Sequence, residues 1–278
     1  MESSGMGMTD AQLHAHDTMR AFDAVASSYD RTNRENPILA HMRARAVAAL
    51  CDHVPAGAAV LDLGCGPGTD HPALVAAGYR VTAIDASAEM VARARQRADL
   101  VDVPRRPTVL CRSLDEIGMC PPASFDAAFS NFGALNCAAD LASIARHLGT
   151  VLRPGGVLVA SVIGRHCPWE IAWHLGRGHV RRAFVRYRRG PVRVPLGEGT
   201  VWTRYMTPRT FRRIFVEAGF EAGPVVGLGV VAPPPYLEHL ARRYPALIDR
   251  LLACDAVVGT WPIACETGDH FLIVMHRA

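Results

Sequence analysis

The ten residues Val60-Leu61-Asp62-Leu63-Gly64-Cys65-Gly66-Pro67-Gly68-Thr69 restrict this chain more than any other stretch. A short apolar run ends in three glycines at alternate positions. Such a pattern reads as a buried strand delivering a tight turn whose bare backbone can approach a ligand closely. In doubly wound α/β folds, ligands sit beyond the carboxyl ends of the strands, which is where this turn would stand. The spacing is G-x-G-x-G, with Thr69 at the place where a dinucleotide fingerprint needs its third glycine.

The flanking sequence agrees with an α/β fold. Strand-like runs at Arg80–Ile84, Thr108–Cys111, Phe125–Ser130 and Val157–Val162 alternate with helical periodicity over Ala86–Asp99 and Cys137–Leu152. That alternation predicts a parallel sheet covered by helices on both faces. From about Gly164 to Met206 the chain is rich in Arg, aromatics and Gly, and no clean sheet element is expected. A helix over Thr210–Ala218, a strand over Pro224–Val231 and a closing strand over Asp269–Met275 follow. Pro233-Pro234-Pro235 stops the first of these strands, and Tyr236–Val258 reads as helix interrupted at Pro245.

With 278 residues, the chain suits one large domain or a core with a cap. The +4 net charge is carried entirely by arginine on the basic side and is too small to imply nucleic acid as a partner. No apolar run approaches the ~18 residues of a membrane span, so no membrane partner is expected. Met1–Met8 lacks the features of a signal peptide, which predicts a cytoplasmic location. The eight cysteines include no C-x-x-C pair; most are expected to be buried thiols, with no metal site.

The G-x-G-x-G turn with Asp62 two residues ahead resembles the first motif of class I S-adenosylmethionine-dependent methyltransferases. Val81-Thr82-Ala83-Ile84-Asp85 supplies a second feature of that family, an acidic residue ending the second strand that holds both ribose hydroxyls. Two carboxylate oxygens suit two vicinal hydroxyl donors; a helix N-cap is the other reading of Asp85, although Ser87 could serve there. Ser124–Asn131 resembles the family's fourth strand, and Leu152-Arg153-Pro154-Gly155-Gly156 the turn into its fifth, an architectural role. Ala21-Phe22-Asp23 and Ser28-Tyr29-Asp30 resemble the N-terminal helix that closes over the cofactor.

The resemblance spans roughly residues 21–163. It implies a Rossmann-like, seven-stranded, mostly parallel sheet with helices on both faces, plus helical cap insertions. The expected division is an N-terminal helical segment at 1–56, a cofactor-binding core at 57–163, a cap at 164–207, and the rest of the core at 208–278. A helical insertion is expected at about 232–267, with all insertions crowding one edge of the sheet. The implied cofactor is S-adenosylmethionine, leaving S-adenosylhomocysteine as product. Its expected contacts are Asp62, Gly64, Cys65, Gly66 and Gly68 in the turn, and Asp85, Ala86 and Met90 after the second strand. Asn131 and Phe132 follow the fourth strand. Tyr29 is expected near the methionine portion, and Arg43 either pairs with its carboxylate or lies on a solvated helix face. Where many relatives carry an adenine-binding Asp, this chain offers Arg112-Ser113-Leu114-Asp115; Leu114 and Asp115 are the expected contacts.

Methyl transfer is an in-line displacement, so the protein chiefly positions the acceptor and excludes water. A general base is needed only for an acceptor that must lose a proton. The candidates are His166 and Glu170, just past the fifth strand, and His270 at the last strand; each could instead be a structural hydrogen-bonding residue. Asn136, Trp169 and Asp269 are the candidate substrate contacts. Seven arginines between Arg177 and Arg193 form either a solvated face or a basic surface. Asn131-Phe132-Gly133-Ala134 replaces the N-P-P-Y type of signature found in amino methylation of bases and proteins. The expectation is therefore methylation of a small molecule of secondary metabolism on O, N or C. Cofactor-dependent cyclisation, such as cyclopropanation, and RNA or protein methylation are the alternatives.

Overall fold

Two helices precede the sheet in the computed structural model, which describes residues 8–100 and 105–278 apart from the side chain of Thr32. The first seven residues of the expected N-terminal segment thus lie outside the described residues. Helix α1 (Asp10–Glu35) starts on a capping box made by Thr9 and Gln12. Helix α2 (Pro37–His53) starts on Asn36, whose Oδ1 accepts from the amides of Ile38 and Leu39. Proline at the first helical position forfeits only an N–H that the helix could not have used.

The core then alternates: β1 (Ala59–Leu63), α3 (His71–Ala76), β2 (Arg80–Asp85), α4 (Ala88–Leu100), β3 (Thr108–Cys111), β4 (Phe125–Ser130), α5 (Leu141–Val151) and β5 (Leu152–Ile163). The helix expected from Cys137 begins only at Leu141, because Asp140 caps it through the amide of Ser143. Next come α6 (Pro168–Leu175), α7 (Val180–Ala183), β6 (Val192–Leu196), β7 (Gly199–Thr203) and α8 (Pro208–Glu217). The chain ends with β8 (Phe220–Leu228), α9 (Glu238–Arg243), α10 (Pro245–Val258) and β9 (His270–Arg277).

Seven strands form one sheet in the order β3-β2-β1-β4-β5-β9-β8. The first five are parallel, and β9 runs antiparallel to both its neighbours. Strand residues alternate between two cores. Val60, Ala127, Phe129 and Val159 pack with α2, α3, α4 and α10. Leu61, Ala128, Leu158 and Ala160 pack with α5 and α8 on the other face. Burial on both faces explains why these strands are almost continuously apolar. Strand order reverses between β1 and β4, so a crevice opens at the carboxyl ends of these two strands.

Three expectations are corrected. The segment 164–207 is not wholly irregular or helical, since β6 and β7 pair as an antiparallel hairpin with Arg193 opposite Trp202. The insertions do not crowd one edge. The hairpin packs on α1, whereas α9 meets α2 and α10 meets β8. Only Cys65, Cys120 and Cys167 are buried, while Cys51, Cys111 and Cys254 are exposed. No described helix is long and apolar enough to cross a membrane.

Candidate functional site

The glycine turn lies at the crevice between β1 and β4. The amides of Gly64 and Cys65 both donate to the carbonyl of Ile84, at 2.9 and 3.0 Å, which ties the turn to the end of β2. Gly64 must be glycine for space as well as conformation: a Cβ there would lie 2.3 Å from the Cβ of Ala134. Gly66, at φ +53°, has nothing within 4 Å of a Cβ position and presents bare backbone to a cavity of about 340 Å³. A cavity of this size falls within the range of small-molecule sites, roughly 300–1,000 Å³.

Asp85 closes one side of that turn. Its Oδ2 accepts from the amide of Gly66 at 2.8 Å and its Oδ1 from the amide of Ser87 at 2.9 Å. Burial pushes its carboxyl up to about 6; the two amides counter this, and Asp62 and Asp23 add to it. No cation pairs with it among the described residues. The result is a fixed, desolvated acceptor facing the cavity, which is what a diol donor requires. Ala86 and Met90 line the same side. Leu114 and Asp115 line it from a 3₁₀ turn held by Ser113 and Glu116.

At the other end, Arg43 Nη1 meets Asp70 Oδ1 at 2.6 Å, and its guanidinium carbon lies 4.7 Å from the centre of the Phe132 ring. Burial raises the Asp70 carboxyl, and Arg43 opposes that rise. Asn131 Nδ2 donates weakly to Asp70 at 3.4 Å, while its Oδ1 accepts from the Phe132 amide. Phe132 itself holds φ at +52°, a strained conformation that places its ring on the cavity wall. Tyr29 also lines this end, and burial raises its phenol above the ordinary value. This arrangement offers a cation and a carboxylate side by side, a match for an amino-acid zwitterion.

The roof is built by α1 and the hairpin. Met19 and Phe22 of α1 line the cavity together with Val194, Leu196 and Val201 of the hairpin. Two ion and hydrogen-bond contacts bind α1 to the core. Asp23 accepts from Ser87 Oγ at 2.5 Å, and Asp30 accepts both donors of Arg97 Nη2 at 2.6 and 2.8 Å. Trp202 joins roof to helix by donating Nε1–H to Asp17 at 3.1 Å and stacking on His14.

Several expected site residues are elsewhere. Asp62 lies beneath the turn with Oδ2 3.3 Å from His71 Nε2, and a Cβ on Gly68 would strike His71 at 2.6 Å; both shape the turn rather than line the cavity. Glu170 and Asp269 are held by Arg186. Its Nη2 reaches Glu170 Oε2 and Asp269 Oδ1, each at 2.6 Å, and its Nη1 donates to the carbonyls of Gly164 and Asp269. Nε also donates to Glu170, so the whole guanidinium fork is used. Burial would raise the Asp269 carboxyl, but Arg186 and His270 outweigh it and hold it well below the usual carboxylate range. A carboxylate gripped this way is a poor proton acceptor. His270 Nδ1 is taken by Asp269 Oδ2 at 2.9 Å. His166 pairs with the Tyr187 hydroxyl, Trp169 donates to the carbonyl of Val231, and Asn136 staples Ile163 to Arg204. None of these six lines the cavity.

Among the residues that line it without having been foreseen are Asp70, Cys137, Thr203, Met19 and the inward side chains of the hairpin. A signal existed for the hairpin. Val192, Val194 and Leu196 alternate with Arg193 and Pro195 before Gly197-Glu198-Gly199, the pattern of a half-buried strand running into a turn.

A methyltransferase-domain family matches residues 61–160 of the chain. The trans-aconitate 2-methyltransferase of Azoarcus sp. (strain BH72) is 37% identical over 220 residues, covering 74% of this chain and 81% of that protein. The demethylmenaquinone methyltransferase of Tropheryma whipplei (strain Twist) is 33% identical over 149 residues, or 52% of this chain. The match spans only 59% of that relative's length. Among solved structures, the Burkholderia thailandensis 1,6-didemethyltoxoflavin-N1-methyltransferase superposes with a TM-score of 0.61 at 16% identity. That superposition covers 100% of this chain and 97% of the other, and it extends the likeness in fold to the cap and the closing strands.

Proposed function

Since the chain belongs to the class I S-adenosylmethionine-dependent methyltransferases, we propose that it transfers a methyl group from S-adenosylmethionine to a small, largely apolar acceptor held under the roof. Asp85 carries this reading: an unpaired carboxylate, fixed by two backbone amides, stands at the end of β2 beside bare glycine backbone. Relatives named for trans-aconitate and demethylmenaquinone support a small acceptor. We assign the acceptor to secondary metabolism, with O, N or C as the receiving atom.

When bound, the cofactor supplies a methyl group already activated on a sulfonium. Asp85 would hold the ribose hydroxyls through its free lone pairs. Arg43 and Asp70 would hold the amino-acid end, and Leu114 and Asp115 the base. Met19, Phe22, Val194, Leu196 and Val201 exclude water above the reacting atoms and fit an apolar acceptor.

The described cavity lining contains no histidine, and its carboxylates, Asp70, Asp85 and Asp115, all stand at the cofactor end. Burial holds Tyr29 and Cys137 protonated, the latter with its thiol pushed up to about 12. The chain therefore acts by placement, on an acceptor that arrives as a competent nucleophile.

Isothermal titration with S-adenosylmethionine and S-adenosylhomocysteine, with NAD as control, tests the assignment on the wild-type protein and on Asp85→Ala. Micromolar binding of the first two that disappears in the variant is expected. Unchanged affinity in the variant would remove the ribose role of Asp85, and no binding to the wild type would remove the proposal.

A further inference from the structure

The cap is far more basic than the rest of the chain. Residues 164–207 hold nine of the 30 basic residues and two of the 26 acidic ones, so this segment carries +7 against +4 for the whole protein. Arg186 is absorbed by its two carboxylates, and Arg97 by Asp30. Arg188, Arg189 and Arg193 have no acidic partner within 4.0 Å among the described residues. They nevertheless line one open surface cleft, together with Pro191, Val192 and Trp202.

Strand alternation puts this cleft on the outer face of the hairpin. Arg193 and Trp202 are cross-strand neighbours pointing outward, while Val194, Leu196, Val201 and Thr203 point into the methyl-transfer cavity. Trp202 is a fixed wall, donating to Asp17, stacked on His14 at 3.7 Å and lying 5.6 Å from the Arg193 guanidinium. Guanidinium groups cannot shed their charge, so three of them around one cleft make a positive local potential that favours an anion there. Three planar forks can share the several oxygens of a phosphoryl group, whereas a single carboxylate offers only two.

We propose that the outer face of the hairpin is a phosphoryl-binding site, formed by Arg188, Arg189 and Arg193 against Trp202. A ligand there ties the 188–189 loop to β6 and thereby stiffens the roof of the cavity beneath it. The phosphoryl group could belong to a soluble phosphorylated compound or to a lipid headgroup. The second source is relevant because Phe184 and Val180 are about half exposed, and Phe184 contacts Tyr187 beside the cleft.

The test is titration of pyrophosphate at low ionic strength into the wild-type chain and into the triple variant Arg188→Gln/Arg189→Gln/Arg193→Gln. The melting temperature of each reports folding independently. Saturable binding to the wild type, weakened at least ~tenfold in a variant with an unchanged melting temperature, is the expected result. In a second arm, vesicles of phosphatidylcholine with or without phosphatidylglycerol are sedimented with the protein. Capture by the anionic vesicles alone, reversed by pyrophosphate, identifies the headgroup as the source. Pyrophosphate binding without vesicle capture identifies a soluble ligand. No pyrophosphate binding, or equal binding by the variant, overturns the proposal. So does binding to polyuridylate that pyrophosphate cannot displace, which would make the cap a polynucleotide surface instead.

Discussion

Asp85 and Asp269 are both enclosed carboxylates at sheet-strand ends, yet they lie in opposite electrostatic surroundings. Asp85, on the rim of the core, receives two backbone amides and no cation among the described residues, and burial raises it to about 6. Asp269, under the cap, receives Arg186 and His270, which outweigh burial and drive it far down. The lesson is that pairing separates anchoring from binding. Asp269, held by a buried guanidinium fork that uses all its donors, holds the structure together, while Asp85, left without a cation among the described residues, has free capacity for a ligand. Sequence alone offers both as candidate site residues, because neither aspartate's neighbours in the chain reveal whether an arginine 83 residues away will reach it.

The largest expected effect comes from breaking the anchor. Arg186→Leu leaves Glu170 and Asp269 buried without their cation, and should cost about 3–5 kcal/mol of stability by denaturant unfolding. A change below ~1 kcal/mol would show that the cap is held by other contacts. Asp85→Ala is expected to act in the reverse manner, lowering cofactor affinity at least ~100-fold through loss of charged hydrogen bonds. Its melting temperature should stay within a few degrees of the wild type. If Asp85→Ala unfolds the protein instead, the distinction between the two carboxylates fails.

Gly199→Val probes how tightly the roof sits on α1. Its Cβ would lie 2.6 Å from the Cβ of Ala21, and overpacking of this kind costs about 1–3 kcal/mol. A melting temperature lowered by several degrees, together with weaker cofactor binding, is expected from calorimetry and titration.

Proton linkage sharpens the contrast further. Cofactor binding needs ionised Asp85, so affinity should fall roughly tenfold between pH 7 and pH 5 as the carboxyl protonates around 6. In the ligand-free protein Asp85 works the other way. Its raised folded value means that its contribution to stability is present at low pH and is lost as pH rises through about 6. Asp269 has a depressed value, so its contribution is present above the ordinary carboxylate range and is lost only as pH falls below it. Flat affinity between pH 7 and pH 5 would contradict the assignment of Asp85. The smallest effect is expected for His166→Ala, with turnover within ~threefold of wild type, because this ring sits against Tyr187 outside the cavity. Collapse of turnover would return His166 to a catalytic role.

Much of the core was legible because its signals are local. The strands at Thr108–Cys111 and Phe125–Ser130 have the limits that their apolar runs predict. Asp85 follows its strand by register alone, and the glycine turn reports its own conformation through residues that tolerate positive φ. Lines of sight were shorter for the acceptor end. Glu170 and Asn136 are polar residues at plausible site positions, and only partners 16 to 68 residues away show that their hydrogen-bonding capacity is spent inside the structure.

What the sequence determined by itself is the sheet, the turn and the cofactor rim, since each depends on side-chain alternation or on backbone freedom within a few residues. What the tertiary structure decided is which charges are free. Arg43 was set beside Asp70 on the cavity wall, Arg186 was swallowed beneath the cap, and Arg188, Arg189 and Arg193 were left together without counterions among the described residues. Charge pairing acts through space over a few ångströms, with no period along the chain, so no reading of spacing could have sorted one arginine from the next.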